Sequence, residues 1–102
     1  PHPMNSDEAH LLEALCAIRD PAEMRQVLAD ILTRAEYTAL RKRWSILRLL
    51  RAGVPQREIA RRIGGSLCNV TRGARLLRNP NCASARLMER LEKANRLPTA
   101  NP

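Results

Sequence analysis

The sequence predicts an all-α fold of six short helices, and three observations lead there. The apolar residues make up 44% of the 102 but include no Phe, one Tyr and one Trp, so the core has to be built from Leu, Ile, Val and Ala. These recur at three- and four-residue spacing, with neither strand-like alternation nor an internal repeat. Capping signatures, Gly and Pro then cut the chain into segments joined by short connections. The length suits one domain with a modest core. A single helical domain is expected over 7–97, between a disordered lead of 1–6, whose "PHP" before Met4 reads as a cloning remnant, and a disordered tail of 98–102.

The first helix is expected from about Asp7 to Ile18, capped by Ser6 and presenting Leu11, Leu12, Leu15 and Ile18 on one face. In "DPAE" Asp20 caps the second, Pro21 suits its first position and Glu23 completes a capping box; Met24, Val27, Leu28 and Ile31 follow at helical spacing. A second box, Thr33 to Glu36, opens the longest helix, whose apolar positions include Leu40, Trp44, Leu47 and Leu50 and which ends at Gly53. Pro55 starts the fourth helix, with Ile59 and Ile63 inward, and Gly64-Gly65 breaks it. Ser66 caps the fifth, which reaches about Arg78 before Asn79-Pro80 stops it. A last helix, roughly Ala83 to Arg96, carries Leu87, Met88 and Leu91; Met24 and Met88 read as core. The apolar faces are broader than a monomer of this size covers, which predicts a helical homodimer.

The net charge of +8 is unevenly spread. Residues 1–40 are net acidic, whereas 41–78 hold Arg41, Lys42, Arg43, Arg48, Arg51, Arg57, Arg61, Arg62, Arg72, Arg75 and Arg78 against the lone acid Glu58. A compact domain so charged repels itself until a polyanion neutralises it, and the preference for Arg over Lys suits phosphate and guanine. Cys16, Cys68 and Cys82 show neither metal nor disulfide spacing and read as reduced thiols of a cytoplasmic protein. No metal and no membrane partner is expected, there being no long apolar run. Nor is an enzyme: His2 and His10 have no nucleophile or carboxylate at a diagnostic spacing, and His10 reads as a surface or interface residue.

The stretch "QREIARRIGGSLCNV" (56–70) meets the steric demands of a helix-turn-helix. Counting from Gln56, the fifth residue, Ala60, is small where the helices cross; the ninth, Gly64, reaches positive φ without cost; the fifteenth, Val70, is an apolar peg. Lying inside the basic segment, it is expected to read double-stranded DNA rather than to be a bundle hairpin. Ser66, Leu67, Cys68, Asn69 and Thr71 would enter the major groove: Asn69 pairs with adenine, Leu67 and Cys68 touch thymine methyl groups, and Thr71 meets a base or phosphate. Gln56, Arg57 and Arg61 on the first helix and Arg75 on the second complete the expected surface. The eighteenth position, usually bulky and apolar, is Gly73; the slot this leaves beside Arg72 suits a small planar ligand.

"LTRAEYTALRKRWSIL" (32–47) followed by "QREIARRIGGSLCNVTRGARLL" (56–77), above all its "TRG", resembles the tryptophan repressor family. The resemblance implies an intertwined six-helix homodimer whose reading heads, spaced by L-tryptophan as co-repressor, enter successive major grooves about 34 Å apart on operator DNA. It further implies that Arg43 and Arg72 sandwich the indole, that Thr33 with Arg72 holds the carboxylate, that the Leu32 carbonyl accepts from the ammonium group and that Gly73 is the pocket floor. The chain departs from the family pattern at Leu76, where a serine hydroxyl would meet the ligand's amino group, at Asn69 in place of threonine, and in a turn before Gln56 that is one residue shorter. Three functions therefore stand open: a tryptophan-gated dimeric repressor; a regulator of the same superfamily that needs no ligand or another one, which Leu76 favours; and a non-specific RNA-binding or adaptor module.

Overall fold

The structure, a computed structural model, describes residues 3–64 and 66–94. The described residues form six helices and no strand: α1 (Ser6–Ala17), α2 (Pro21–Ile31), α3 (Arg34–Arg51), α4 (Gln56–Ile63), α5 (Leu67–Arg78) and α6 (Ala83–Lys93). The end of the last helix expected at Arg96, the tail of 98–102, Gly65 and His2 lie outside the described residues. The chain divides into two compact units, Pro1–Tyr37 and Thr38–Pro102.

In the first unit α1 begins one residue before the expected start, because Asn5 rather than Ser6 is its cap: the Asn5 Oδ1 accepts from the Glu8 N–H at 2.7 Å, and Ser6 is the first helical residue. Asp20 caps α2 as expected, but through the Ala22 N–H at 3.1 Å instead of the Glu23 N–H of a capping box. The box opening α3 is complete. The Thr33 N–H donates to Glu36 Oε1 at 2.8 Å and the Glu36 N–H to Thr33 Oγ1 at 3.1 Å, which holds the Glu36 carboxyl below its usual pKa. Neither α1 nor α2 buries a residue fully, and Met24, expected as core, is half-buried. His10 is exposed.

The second unit holds the core. Ile46 and Leu49 of α3, Ile59 of α4 and Val70 of α5 form one buried cluster, with Leu50, Val54, Ala60 and Ile63 packed around it. Of the expected apolar positions of α3, Leu50 packs on this cluster and Leu47 is half-buried, whereas Leu40 is exposed and Trp44 half-buried; the fully buried pair is Ile46 and Leu49. Apolar side chains occupy a wide arc of α3, so spacing alone does not single out Ile46 and Leu49 as its most buried residues. The helix closes in a Schellman motif about Gly53 (φ 87°), with the Val54 N–H donating to the Leu49 carbonyl and the Gly53 N–H to Leu50. Met88 of α6 is buried as expected, together with Cys82, and α6 is tied to α3 by a forked Arg51–Glu92 ion pair.

Candidate functional site

The helix-turn-helix is assembled by few side chains. Ile59, the single buried residue of α4, is 0% exposed, and Val70 on α5 is 1% exposed against it. Between the two helices Gly64 adopts φ 71° and its N–H closes α4 on the Ala60 carbonyl. A Cβ there would meet nothing within 4 Å, so glycine serves the left-handed backbone and not a tight contact. Ser66 caps α5, its Oγ accepting from the Asn69 N–H at 3.3 Å. The Thr71 hydroxyl lies 3.0 Å from the Leu67 carbonyl and 3.3 Å from Gln56 Oε1, acceptors on both helices. Gln56 and Thr71, expected as DNA contacts, thereby also brace α4 against α5.

Helical steps of about 100° sort the rest of α5. Val70 and Gly73 are buried and Leu77 half-buried on the inner face, while Cys68 and Arg75 point the opposite way and Leu67 is exposed beside them. Arg57 is exposed on α4. Glu58 binds two of its own helix's guanidiniums, Arg61 at i+3 and Arg62 at i+4, and these hydrogen bonds pull its pKa down to about 2. A carboxyl depressed below its unfolded value stabilises the folded chain above roughly pH 4.5, and that contribution is lost as pH falls toward about 2. Replacing Glu58 by glutamine is expected to free both arginines and add one positive charge. Affinity for a random duplex should rise, and the slope of log affinity against log salt should steepen by about one. Fluorescence anisotropy between 50 and 200 mM salt measures this; an unchanged slope would place both arginines off the phosphate path.

Between α3 and α5 lies a cleft of about 190 Å³. From α3 come Arg43, Ile46 and Leu47; from α5 come Asn69, Arg72, Gly73 and Leu76. An apolar cavity of about 150 Å³ accommodates a benzene ring, so the space suits a planar aromatic group. Gly73 permits the close approach of the helices, since a Cβ there would stand 3.1 Å from Leu50 Cδ1 and 3.2 Å from Ile46 Cγ2. Four of the expected ligand residues, Arg43, Arg72, Gly73 and Leu76, are thus brought to one cleft. Leu32 and Thr33 belong to the first unit, where Leu32 ends α2 and Thr33 opens α3. Ile46, Leu47 and Asn69 are cleft residues that the sequence reading missed. Their signal was the i, i+3, i+4 spacing from Arg43 on one helix and the spacing of Asn69 from Arg72 and Gly73 on the other.

Among the described residues no group of three or more His, Cys, Asp or Glu side chains could hold a metal, and no helix is long and apolar enough to cross a membrane. A family model described as "Trp repressor protein" matches residues 7–92. Proteins named "Trp operon repressor homolog" from three strains of Xylella fastidiosa are 38% identical to this chain over 72 residues, covering 70% of it and 78% of their own length. No solved structure matches the chain.

Proposed function

Because the chain belongs to the Trp repressor protein family, a family of DNA-binding transcriptional repressors, we propose that it binds operator DNA as a homodimer with L-tryptophan as co-repressor. The observation that carries this reading is the double duty of α5. Its outer face, with Cys68 and Arg75, is free to enter a major groove, while its neighbouring face, with Arg72, Gly73 and Leu76, lines an aromatic-sized cleft. A ligand in that cleft touches the reading helix directly, so its binding energy can bias the helix's attitude and hence DNA affinity. Guanidinium groups from Arg43 and Arg72 suit both the face of an indole and a carboxylate.

Contacts to DNA fall to Ser66, Leu67, Cys68, Thr71 and Arg75 around α5 and to Gln56, Arg57 and Arg61 of α4, the two α4 arginines reaching phosphate or guanine. Dimerisation is supported by α1 and α2, which bury no residue and leave Leu11 and Leu12 each 41% exposed and Ile31 56% exposed. A second copy of the chain is the cover assigned to them.

Calorimetric titration with L-tryptophan, alongside duplex binding with and without it, tests the proposal. Saturable binding that tightens specific DNA binding is the expected result. Specific DNA binding without any response to L-tryptophan would favour the second reading, a regulator with another ligand or none. Leu76 supports that alternative, since it brings a hydrocarbon to the cleft where a hydroxyl would serve an ammonium group. Binding of RNA and duplex DNA without sequence preference would overturn both.

A further inference from the structure

The cleft's hydrogen-bonding inventory is lopsided. Arg43 and Arg72 carry only donors, and Ile46, Leu47 and Leu76 carry neither donors nor acceptors in their side chains. Asn69 is therefore the one lining side chain that accepts a hydrogen bond. Its backbone N–H is taken by Ser66, but its carboxamide has no partner within the described residues. On α5 it shares the side of Gly73 and Leu76, about 100° round from the outward row of Cys68 and Arg75. Its position thus favours the cleft over the base edges that its residue type suggests from sequence.

Two donor-only cations over apolar walls accept any planar aromatic anion of the right size and do not distinguish one bearing an N–H from one lacking it. We infer that Asn69 makes that distinction: its carboxamide oxygen accepts an N–H of the bound ligand, and it selects aromatic carboxylates that carry such a donor. This rests on the cleft being the ligand site, as proposed above. Sites built to hydrogen-bond a ligand reject analogues without the matching group, because their own polar atom is left unpaired. Asn69 is exposed, so water offers it an alternative partner and the selection is modest. Ligand contact at this position also fixes the first turn of α5, the turn that carries Leu67 and Cys68.

Calorimetry on the full chain, as wild type and as Asn69→Ala, tests the assignment with three probes: L-tryptophan, its isostere in which sulfur replaces the ring N–H, and its desamino analogue. Alanine favours helix at this exposed position, and circular dichroism checks that the variant is folded. The wild type is expected to bind L-tryptophan roughly five- to tenfold more tightly than one of the two analogues, the fold-change of one net hydrogen bond. Whichever analogue that is identifies the N–H concerned. Asn69→Ala should lose the same factor for L-tryptophan while holding that analogue as well as the wild type does. A variant that discriminates like the wild type, or that weakens all three probes equally, overturns the assignment, as does a wild type that binds all three alike; in each case the cleft stands as a ligand site. A wild type that binds none of them overturns the cleft reading itself.

Discussion

Gly73→Leu is expected to abolish the response to L-tryptophan while leaving ligand-free DNA binding within about twofold, as read by anisotropy at fixed salt. The Cβ alone would press on Leu50 Cδ1 at 3.1 Å, on Ile46 Cγ2 at 3.2 Å and on Leu47 Cδ2 at 3.4 Å, and Ile46 and Leu47 are cleft walls. The remaining leucine carbons would occupy part of the cleft that Gly73 lines, whose volume is about 190 Å³. Ligand affinity should fall on the order of a hundredfold, which corresponds to about 2.8 kcal/mol. Overpacking at the α3–α5 contact adds a stability cost of roughly 1–3 kcal/mol, visible in the thermal midpoint. Gly73→Ala provides the graded control. Leu50 Cδ1, Ile46 Cγ2 and Leu47 Cδ2 need give by only a few tenths of an ångström, so this variant should stay folded and lose less ligand affinity. An undiminished ligand response in Gly73→Leu would remove the cleft from the mechanism, whatever happened to stability.

Legibility from sequence follows how local each interaction is. The Thr33–Glu36 box, the Ser66 cap and the stop at Gly53 were readable because donor and acceptor lie within five residues of one another, and the spacing itself fixes the geometry. Ala60, Gly64 and Val70 were readable for a related reason, since a crossing of two adjacent helices constrains residues only a short way apart. The choice of Asn5 over Ser6 was not readable, because either side chain can cap and one residue of slip costs little. The core of α3 was readable only in part. Leu50 of the expected stripe does pack on the core, but nothing in the spacing of Leu40, Trp44, Leu47 and Leu50 singles out Ile46 and Leu49 as the buried pair, which the arrival of α4 and α5 decides. Asn69 follows from the same limit: that it lines a cleft with Arg43 depends on how α5 lies across α3, which its residue type does not reveal.

Ile59→Ala is expected to be the costliest single truncation in the helix-turn-helix, at about 2–5 kcal/mol in urea unfolding, against roughly 0.5–1.5 kcal/mol for Ile59→Val. The side chain is fully buried, and it is the one buried residue that the eight-residue α4 contributes. Ile46, Leu49 and Val70 come from the two helices on either side of it, so removing its carbons leaves a cavity that α4 has no second buried side chain to refill. The loss is large beside a total stability of about 5–15 kcal/mol. Function should follow through α5. With Ile59 cut back, Val70 loses its fully buried α4 neighbour, and the hydrogen bond between the two helices from the Thr71 hydroxyl to Gln56 Oε1 spans an exposed 3.3 Å. Sequence-specific DNA binding should therefore weaken more than non-specific binding, because phosphate contacts tolerate a loosened helix and base contacts do not. A cost under about 1 kcal/mol would mean that the site collapses around the alanine, and that the attitude of α5 is set by α3 through Gly73 and not by α4.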